Sequence, residues 1–524
     1  MFAATRHAPD PTQLSSRQKL LMLVTLCLAA YTTNIFAAAH LTSFPQIARS
    51  LDATVAEVAN TIGIGVLGLG AGPLLWNPLS LASGQRTVLL LAWALYLPCL
   101  VWCAESTSFN SFAAARFFAG ACASVAQTVP AAMISHVWTI EYRGTAIAAW
   151  TLAMIAGPGT APLINAALNT KQKWTWMYWL LLILAGFVLV LIILFVPETQ
   201  VAVATKSGLM VPTFAGVADE ENGDVEKQED RFTRPDPFGT HDTPSCPTSR
   251  PARRLGLVYY PWKEPLRFLK AVFRPIHQII YFPITSLILW NGWVFCCALG
   301  GAVLLPEEFL RSPFSYTPVI IGTLFLAVLV GAIPGKFCES LPLLFHSLLK
   351  PVVKSRNTDE AVLSMNNVHP VGGWAADITV TSLTRRSKHG RQPELRMPAL
   401  VIPISALFIG GILFGDGLQR EKGWVESTVG LGLFYFGVAS AQGVVQTYLV
   451  ECDLPRAGST ITLHNLIKHV FGFAGPFFIP KWAVSHGIRT SFIIQGVITL
   501  GSGILLVVVL MIFGRRIRRA QGTA

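Results

Sequence analysis

Long apolar runs separated by short polar stretches set the pattern of this chain. Runs of about 20 apolar residues, the length a helix needs to cross a bilayer core, fall near 20–39, 57–80, 87–104, 109–135, 145–168 and 176–196. A second set falls near 277–304, 316–335, 398–418, 425–449, 459–480 and 489–513. The runs are continuous and lack the alternation of a barrel strand, so they predict helices. The expected fold class is all-α: a polytopic membrane protein of about twelve transmembrane helices in two six-helix bundles, with the pseudo-two-fold symmetry such repeats adopt.

The polar stretches divide the chain. A cytoplasmic tail at 1–19 precedes a first bundle at 20–197, and a linker at 198–275 leads to a second bundle at 276–513 with an insertion near 335–397. A basic tail at 514–524 ends the chain as given. The linker starts acidic, turns basic toward Arg274 and is rich in Pro, Gly, Ser and Thr. That composition predicts a largely disordered segment, with 259–273 as an amphipathic stretch on the membrane surface. The first apolar run is too long for the core of a cleavable signal, so it is expected to stay as the first span.

Composition changes the picture little. Of 524 residues 52% are apolar and 13% charged, against roughly 25% charged in soluble domains. The net charge of +12 raises nucleic acid as a partner, but Lys and Arg gather in short stretches between the apolar runs. This is how cytoplasmic loops orient a membrane protein. Arg17, Arg86, Arg143, the Arg253–Arg274 and Arg385–Arg396 stretches, Arg456 and Arg515–Arg519 all fall on one side, which predicts both termini in the cytoplasm. The expected partners are membrane lipid and a small-molecule substrate, with no nucleic acid. The nine cysteines show no CxxC spacing and read as small core residues. Gly63-x-Gly65-x-x-Gly68 lies inside the second run with no strand before it, so it reads as a close-packing helix face and no cofactor is expected.

Local strings add a family resemblance. Gly72-Pro73-Leu74-Leu75-Trp76-Asn77-Pro78-Leu79-Ser80 and Gly84-Gln85-Arg86 follow the second run, and Arg116-Phe-Phe-Ala-Gly120 opens the fourth. Glu141-Tyr-Arg143-Gly144, Ala156-Gly157-Pro158-Gly159-Thr160-Ala161-Pro162 and Pro197-Glu198-Thr199 come next. In this order and placement the chain resembles the major facilitator superfamily, in its fungal drug:proton antiporter-like branch. The resemblance implies alternating access, with Arg86, Arg143, Gly157 and Pro158 in conformational motifs and Asp377, Arg385 and Arg386 forming a C-terminal acid–Arg counterpart. The chain departs from the pattern where Leu81 replaces an acid, Asn77 a Gly and His136 another acid, which weakens the N-terminal latch. Pro158 deletes a backbone hydrogen bond inside a span, and glycines beside it let a neighbour approach.

Ionisable groups at membrane depth are costly and usually face a cavity or a partner. Arg116 is one, with snorkelling to the headgroups as the alternative. Lys468 is deeper, and His464 shares its helix face at i and i+4. His464 and His469, five apart and without an acid, fit a metal site poorly, so no metal is expected. Asn34, Gln127, Trp290, Asn291, Gln442, Gln446 and Tyr448 complete the substrate or proton pathway candidates, with interhelical hydrogen bonding as the alternative.

These features predict a secondary transporter of a small organic solute, working as a monomer in the plasma membrane, and no enzyme, since no convergent acid, base and nucleophile are found. Proton-coupled export is the leading expectation. Import of a nutrient or organic cation, or a non-transporting sensor, is the alternative. The stretch 335–370 is long for a loop, and Gly335-Lys336 and Pro370-Val371 can be encoded by splice-signal sequences. A retained intron is one reading there and an amphipathic loop the other.

Overall fold

The structure is a computed structural model that describes residues 14–138, 140–199, 202–204, 210–212, 272–311, 314–336, 393–420, 424–453 and 456–521. In chain order its helices are α1 (Ser16–Ala37), α2 (Phe44–Ser50), α3 (Val55–Ser83), α4 (Gln85–Ala104), α5 (Phe109–Ala123), α6 (Val125–Val137), α7 (Ile140–Asn169) and α8 (Trp176–Phe195). They continue as α9 (Phe282–Leu310), α10 (Pro318–Lys336), α11 (Val401–Gln419), α12 (Trp424–Cys452), α13 (Ala457–His486) and α14 (Ile488–Ala520). A short ribbon, β1 (Ala202–Ala204) against β2 (Met210–Pro212), pairs Val203 with Val211 in the linker. That ribbon lies outside the helical spans, which remain all-α.

Eleven of the described spans are long and apolar enough to cross a membrane, α5 and α6 counting as one span that bends at Ser124. The twelfth is α13, 30 residues long. It falls short in apolarity because His464, Asn465, Lys468 and His469 sit within it. The helix that departs from the membrane pattern is the one that carries Lys468 and two histidines.

Helix ends follow local chemistry. Ser15 with Gln18 and Thr54 with Glu57 form capping boxes that start α1 and α3. Gly84 (φ +95°) alone turns the chain from α3 into α4, and Gly487 (φ +82°) does the same between α13 and α14. Both need the left-handed region that glycine tolerates. The seventh span starts at Phe282 rather than near 277, because a 3₁₀ turn (Gln278–Ile280) and then Pro283 occupy the approach. Exposed Ile183, Phe187, Val190 and Leu194 on α8 and Val497, Leu505, Val508 and Ile512 on α14 form apolar outer faces. Lipid is the solvent that accepts them.

Two seams join the bundles: α3 packs on α13, and α7 packs on α10. These are the second span on the eleventh and the fifth on the eighth, which a six-helix repeat exchanges. The glycines of α3 divide between two neighbours. Added side chains at Gly65, Gly68 and Gly72 would meet Arg116, Phe117, Ala121 and Ser124, whereas Gly63 and Gly70 face Phe473 and His469 across the seam. The Gly-x-Gly-x-x-Gly string is thus a packing device serving two interfaces at once.

Candidate functional site

Polar side chains inside the first bundle gather near the α1–α7 contact. Gln127 Nε2 on α6 donates to Asn34 Oδ1 at 3.2 Å, and Asn34 Nδ2 donates to the Ala30 carbonyl at 2.8 Å. Tyr31 and Thr160 join their hydroxyls at 3.0 Å. Gly157 lies against Asn34 and Ile35, where an added Cβ would come within 2.6 Å of Asn34 Cβ. Asn34, Gln127 and Gly157 therefore form one cluster, and each polar member is half-buried. Pro158, next to it, lies inside α7.

Arg116 has a different role from the one expected at a cavity or a headgroup. Its side chain is fully buried. The guanidinium donates to the carbonyls of Phe36 (2.7 Å), Ala37 (3.3 Å) and Thr61 (3.4 Å) and lies 4.3 Å from the centre of the Phe36 ring. Phe36 and Ala37 end α1, where unpaired carbonyls and the negative helix pole favour a cation. Arg116 is a buried cap, so snorkelling does not hold.

Beside it runs a chain not foreseen from sequence. Tyr178 and His40 Nδ1 are 2.9 Å apart, and His40 Nε2 and Thr61 Oγ1 are 2.8 Å apart. Thr61 commits its proton to the Val58 carbonyl, so His40 donates from Nε2 and accepts from Tyr178 at Nδ1. A lone His just past an apolar run was the available signal.

In the second bundle, α13 presents His464 and Lys468 toward α9. His464 Nε2 bonds Asn291 Oδ1 at 3.0 Å. Lys468 is 7% exposed, its Nζ lies 5.1 Å from the centre of the Phe295 ring, and the positive charge of Lys336 on α10 acts on it. His469 turns instead to the Asn465 carbonyl at 2.6 Å, so the two imidazoles serve separate partners. Among the described residues no group of three His, Cys, Asp or Glu could hold a metal. Trp290 Nε1 donates to the Thr499 carbonyl at 3.1 Å and ties α9 to α14. Gln442 and Gln446, half-buried on α12, form no hydrogen bond with other described residues. Tyr448 is fully buried within the second bundle near Cys452.

The motif charges also have positions. Arg86 Nη2 donates to the Ile193 carbonyl at 2.9 Å. Arg143 is half-buried near His136. Asp377, Arg385 and Arg386 lie outside the described residues. Sequence reasoning missed the carboxylates that do pair. Glu198 accepts from the backbone N–H groups of Gln85 and Arg86 at 3.0 Å each. Arg396 meets Glu451 in two bonds of 2.8 Å, and Arg518 meets Glu394 at 2.7 and 3.0 Å.

Twelve spans in two bundles, meeting along two exchanged seams with polar groups buried beside them, define the two-bundle fold of a secondary transporter. The chain belongs to the Major Facilitator Superfamily, whose family model matches residues 21–476. Among curated proteins it is similar to the MFS antiporter QDR3 of Candida albicans, at 22% identity over 95% of this chain and 78% of that one. It is also similar to the efflux pump radE of Floropilus chiversii, at 22% identity over 83% and 69% of the two chains. Among solved structures, its fold is similar to a partially occluded inward-open xylose transporter XylE from E. coli. There the TM-score is 0.57 and identity 14%, covering 95% of this chain and 98% of that one. The human organic anion transporter MFSD10 gives a TM-score of 0.54 at 14% identity, over 94% and 100% of the two chains. The protein is a multi-pass membrane transporter rather than an enzyme.

Proposed function

We propose that this chain exports a small organic solute across the fungal plasma membrane in exchange for protons, as a monomer with both termini in the cytoplasm. The observation that carries the reading is the Gly157 contact. The helix bearing Gly157 and Pro158 touches α1 through a bare backbone and forms the α7–α10 seam from its other side. Rocking of one bundle against the other alters that seam directly. Relatives bearing the names antiporter and efflux pump support the direction. Asn34, Gln127, Asn291, His464 and Lys468 are the groups proposed to meet solute or proton, with Gln442 and Gln446 offering uncommitted amides.

The test is flux in proteoliposomes with an imposed pH gradient, using a panel of amphipathic compounds. Uphill movement of a compound that collapses with a protonophore is the expected result. Flux that ignores the gradient overturns proton coupling, and binding without flux makes the protein a sensor.

A further inference from the structure

Every embedded charge in the described spans is basic. Acidic residues in these helices sit at their ends: Glu57 in the first turn of α3, Glu307 and Glu308 in the last of α9, Asp416 near the end of α11, and Glu426 and Glu451 at the two ends of α12. No Asp or Glu occupies the middle of a described span. Of the embedded cations, Arg116 is saturated by three carbonyls. Lys468 is not. It is more than nine-tenths buried, no carboxylate lies in ion-pair range among the described residues, and its one recorded neighbour of opposite character is the face of Phe295.

One helical turn away, His464 adds an independent sign. Asn291 Oδ1 can only accept, so His464 donates from Nε2. Its Nδ1 lone pair is then an acceptor, buried and without a partner. A buried cation and a buried acceptor on one helix face, both unsatisfied among the described residues, describe the complement of a ligand.

We propose that the site takes a small organic anion whose carboxylate or similar group pairs with Lys468 and whose hydroxyl or N–H reaches His464 Nδ1. This deepens the transport reading and rests on it. The anion supplies the counter-charge to Lys468 that no described residue supplies, and so relieves a desolvated ammonium. A cationic solute would enter a field of its own sign, which sets this proposal against uptake of organic cations.

The probes are a size-matched set: 4-hydroxybenzoate, 4-hydroxybenzamide and 4-hydroxybenzylamine, with larger aromatic carboxylates, amides and amines in parallel. Binding to the purified full-length chain is read by thermal shift, and flux in liposomes of phosphatidylcholine alone. The anions are expected to bind and move, Lys468→Gln to weaken them tenfold or more, and Lys468→Arg to retain most of the affinity. His464→Gln should discriminate less between hydroxylated and plain benzoates. Flux of cations or neutral members without anions overturns the anion assignment while leaving transport intact. Anion binding unchanged in Lys468→Gln overturns the residue's role. Loss of the anions' thermal shift when phosphatidylglycerol is added to the purified chain assigns the site to a lipid headgroup and overturns the solute. Absence of flux for every class counts against the transport reading itself.

Discussion

Asn77 on α3 and Thr462 on α13 are joined by a hydrogen bond that crosses between the bundles, Asn77 Nδ2 donating to Thr462 Oγ1 at 2.7 Å. Thr462 passes its own proton to the Gly458 carbonyl at 2.8 Å, so its oxygen is free to accept. The pair lies near the end of α3 that leads into Gly84, close to Leu81, where the family pattern has an acid. A residue that departs from the pattern forms the cross-bundle tie. A neutral hydrogen bond contributes about 0.5–1.5 kcal/mol, which shifts a two-state population about two- to tenfold. Thr462→Val and Asn77→Ala are each expected to raise opening at this end by that factor, and the double mutant by no more than either alone. Cross-linking of cysteines placed at Ser80 and Gly458 in a cysteine-free background measures it. Unchanged cross-linking in both single mutants sinks the assignment.

Gly157 sets a second expectation. A Cβ there would lie 2.6 Å from Asn34 Cβ and 2.7 Å from the Ile35 nitrogen, which belongs to backbone that cannot swing aside. Gly157→Ala alone should force α1 from α7 and lower flux severalfold, and Gly157→Leu should abolish it while surface expression persists. Pro158→Leu restores a backbone donor and tests the bend separately. Wild-type kinetics in Gly157→Leu would leave no role for the close approach.

Glu198 sets where the linker can be cut. Its carboxylate accepts the first two backbone N–H groups of α4, beside Gly84, and Thr199 Oγ1 bonds Gln85 Oε1 at 2.6 Å. An acid at a helix N-terminus satisfies orphan donors and the helix dipole together. Glu198→Ala is expected to cost about 0.5–2 kcal/mol, with Glu198→Gln intermediate, read as a lower melting temperature in detergent. Replacement of 200–258 by a flexible linker of similar reach should leave flux intact, whereas a replacement starting at 198 should carry the Glu198 penalty.

The spans were legible because a bilayer imposes a length and an apolar run that sequence displays directly. Even α13, broken by His464 and Lys468, kept enough apolar character to be placed. What sequence could not display was pairing at distance. Arg116 stands out as an embedded cation, yet its partners are carbonyls of α1 and α3, which carry no residue signature. Tyr448 looks like a lining residue on an apolar helix, but the face it occupies points into its own bundle. Gly335, where the retained-intron reading begins, ends α10 and packs against Phe436 and Ser440 of α12, with Ser440 Oγ donating to its carbonyl at 3.2 Å. The rest of that stretch, from 337 to 370, lies outside the described residues.

The last prediction concerns the two Arg–Glu pairs at one end of the second bundle. A 3₁₀ turn (Pro393–Leu400) leads into α11 and carries Glu394 and Arg396 two residues apart. Arg396 reaches Glu451 at the end of α12, and Glu394 receives Arg518 at the end of α14, each in a two-bond fork. One short turn therefore staples three helix ends. Arg396 is fully buried, and Glu451 is 20% exposed. Removing one partner of such a pair leaves a buried charge, at a cost of about 3–5 kcal/mol. Arg396→Ala is expected to lower the melting temperature more than Glu451→Gln, since Ala deletes both bonds of the fork and the packing of a fully buried side chain, whereas Gln keeps an oxygen that still accepts from Arg396. Arg396→Lys should fall between them, because an ammonium cannot match both carboxylate oxygens in one plane. The exchange Arg396→Glu with Glu451→Arg should recover part of the loss. Equal melting temperatures for Arg396→Ala and the wild type would show that the staple holds nothing.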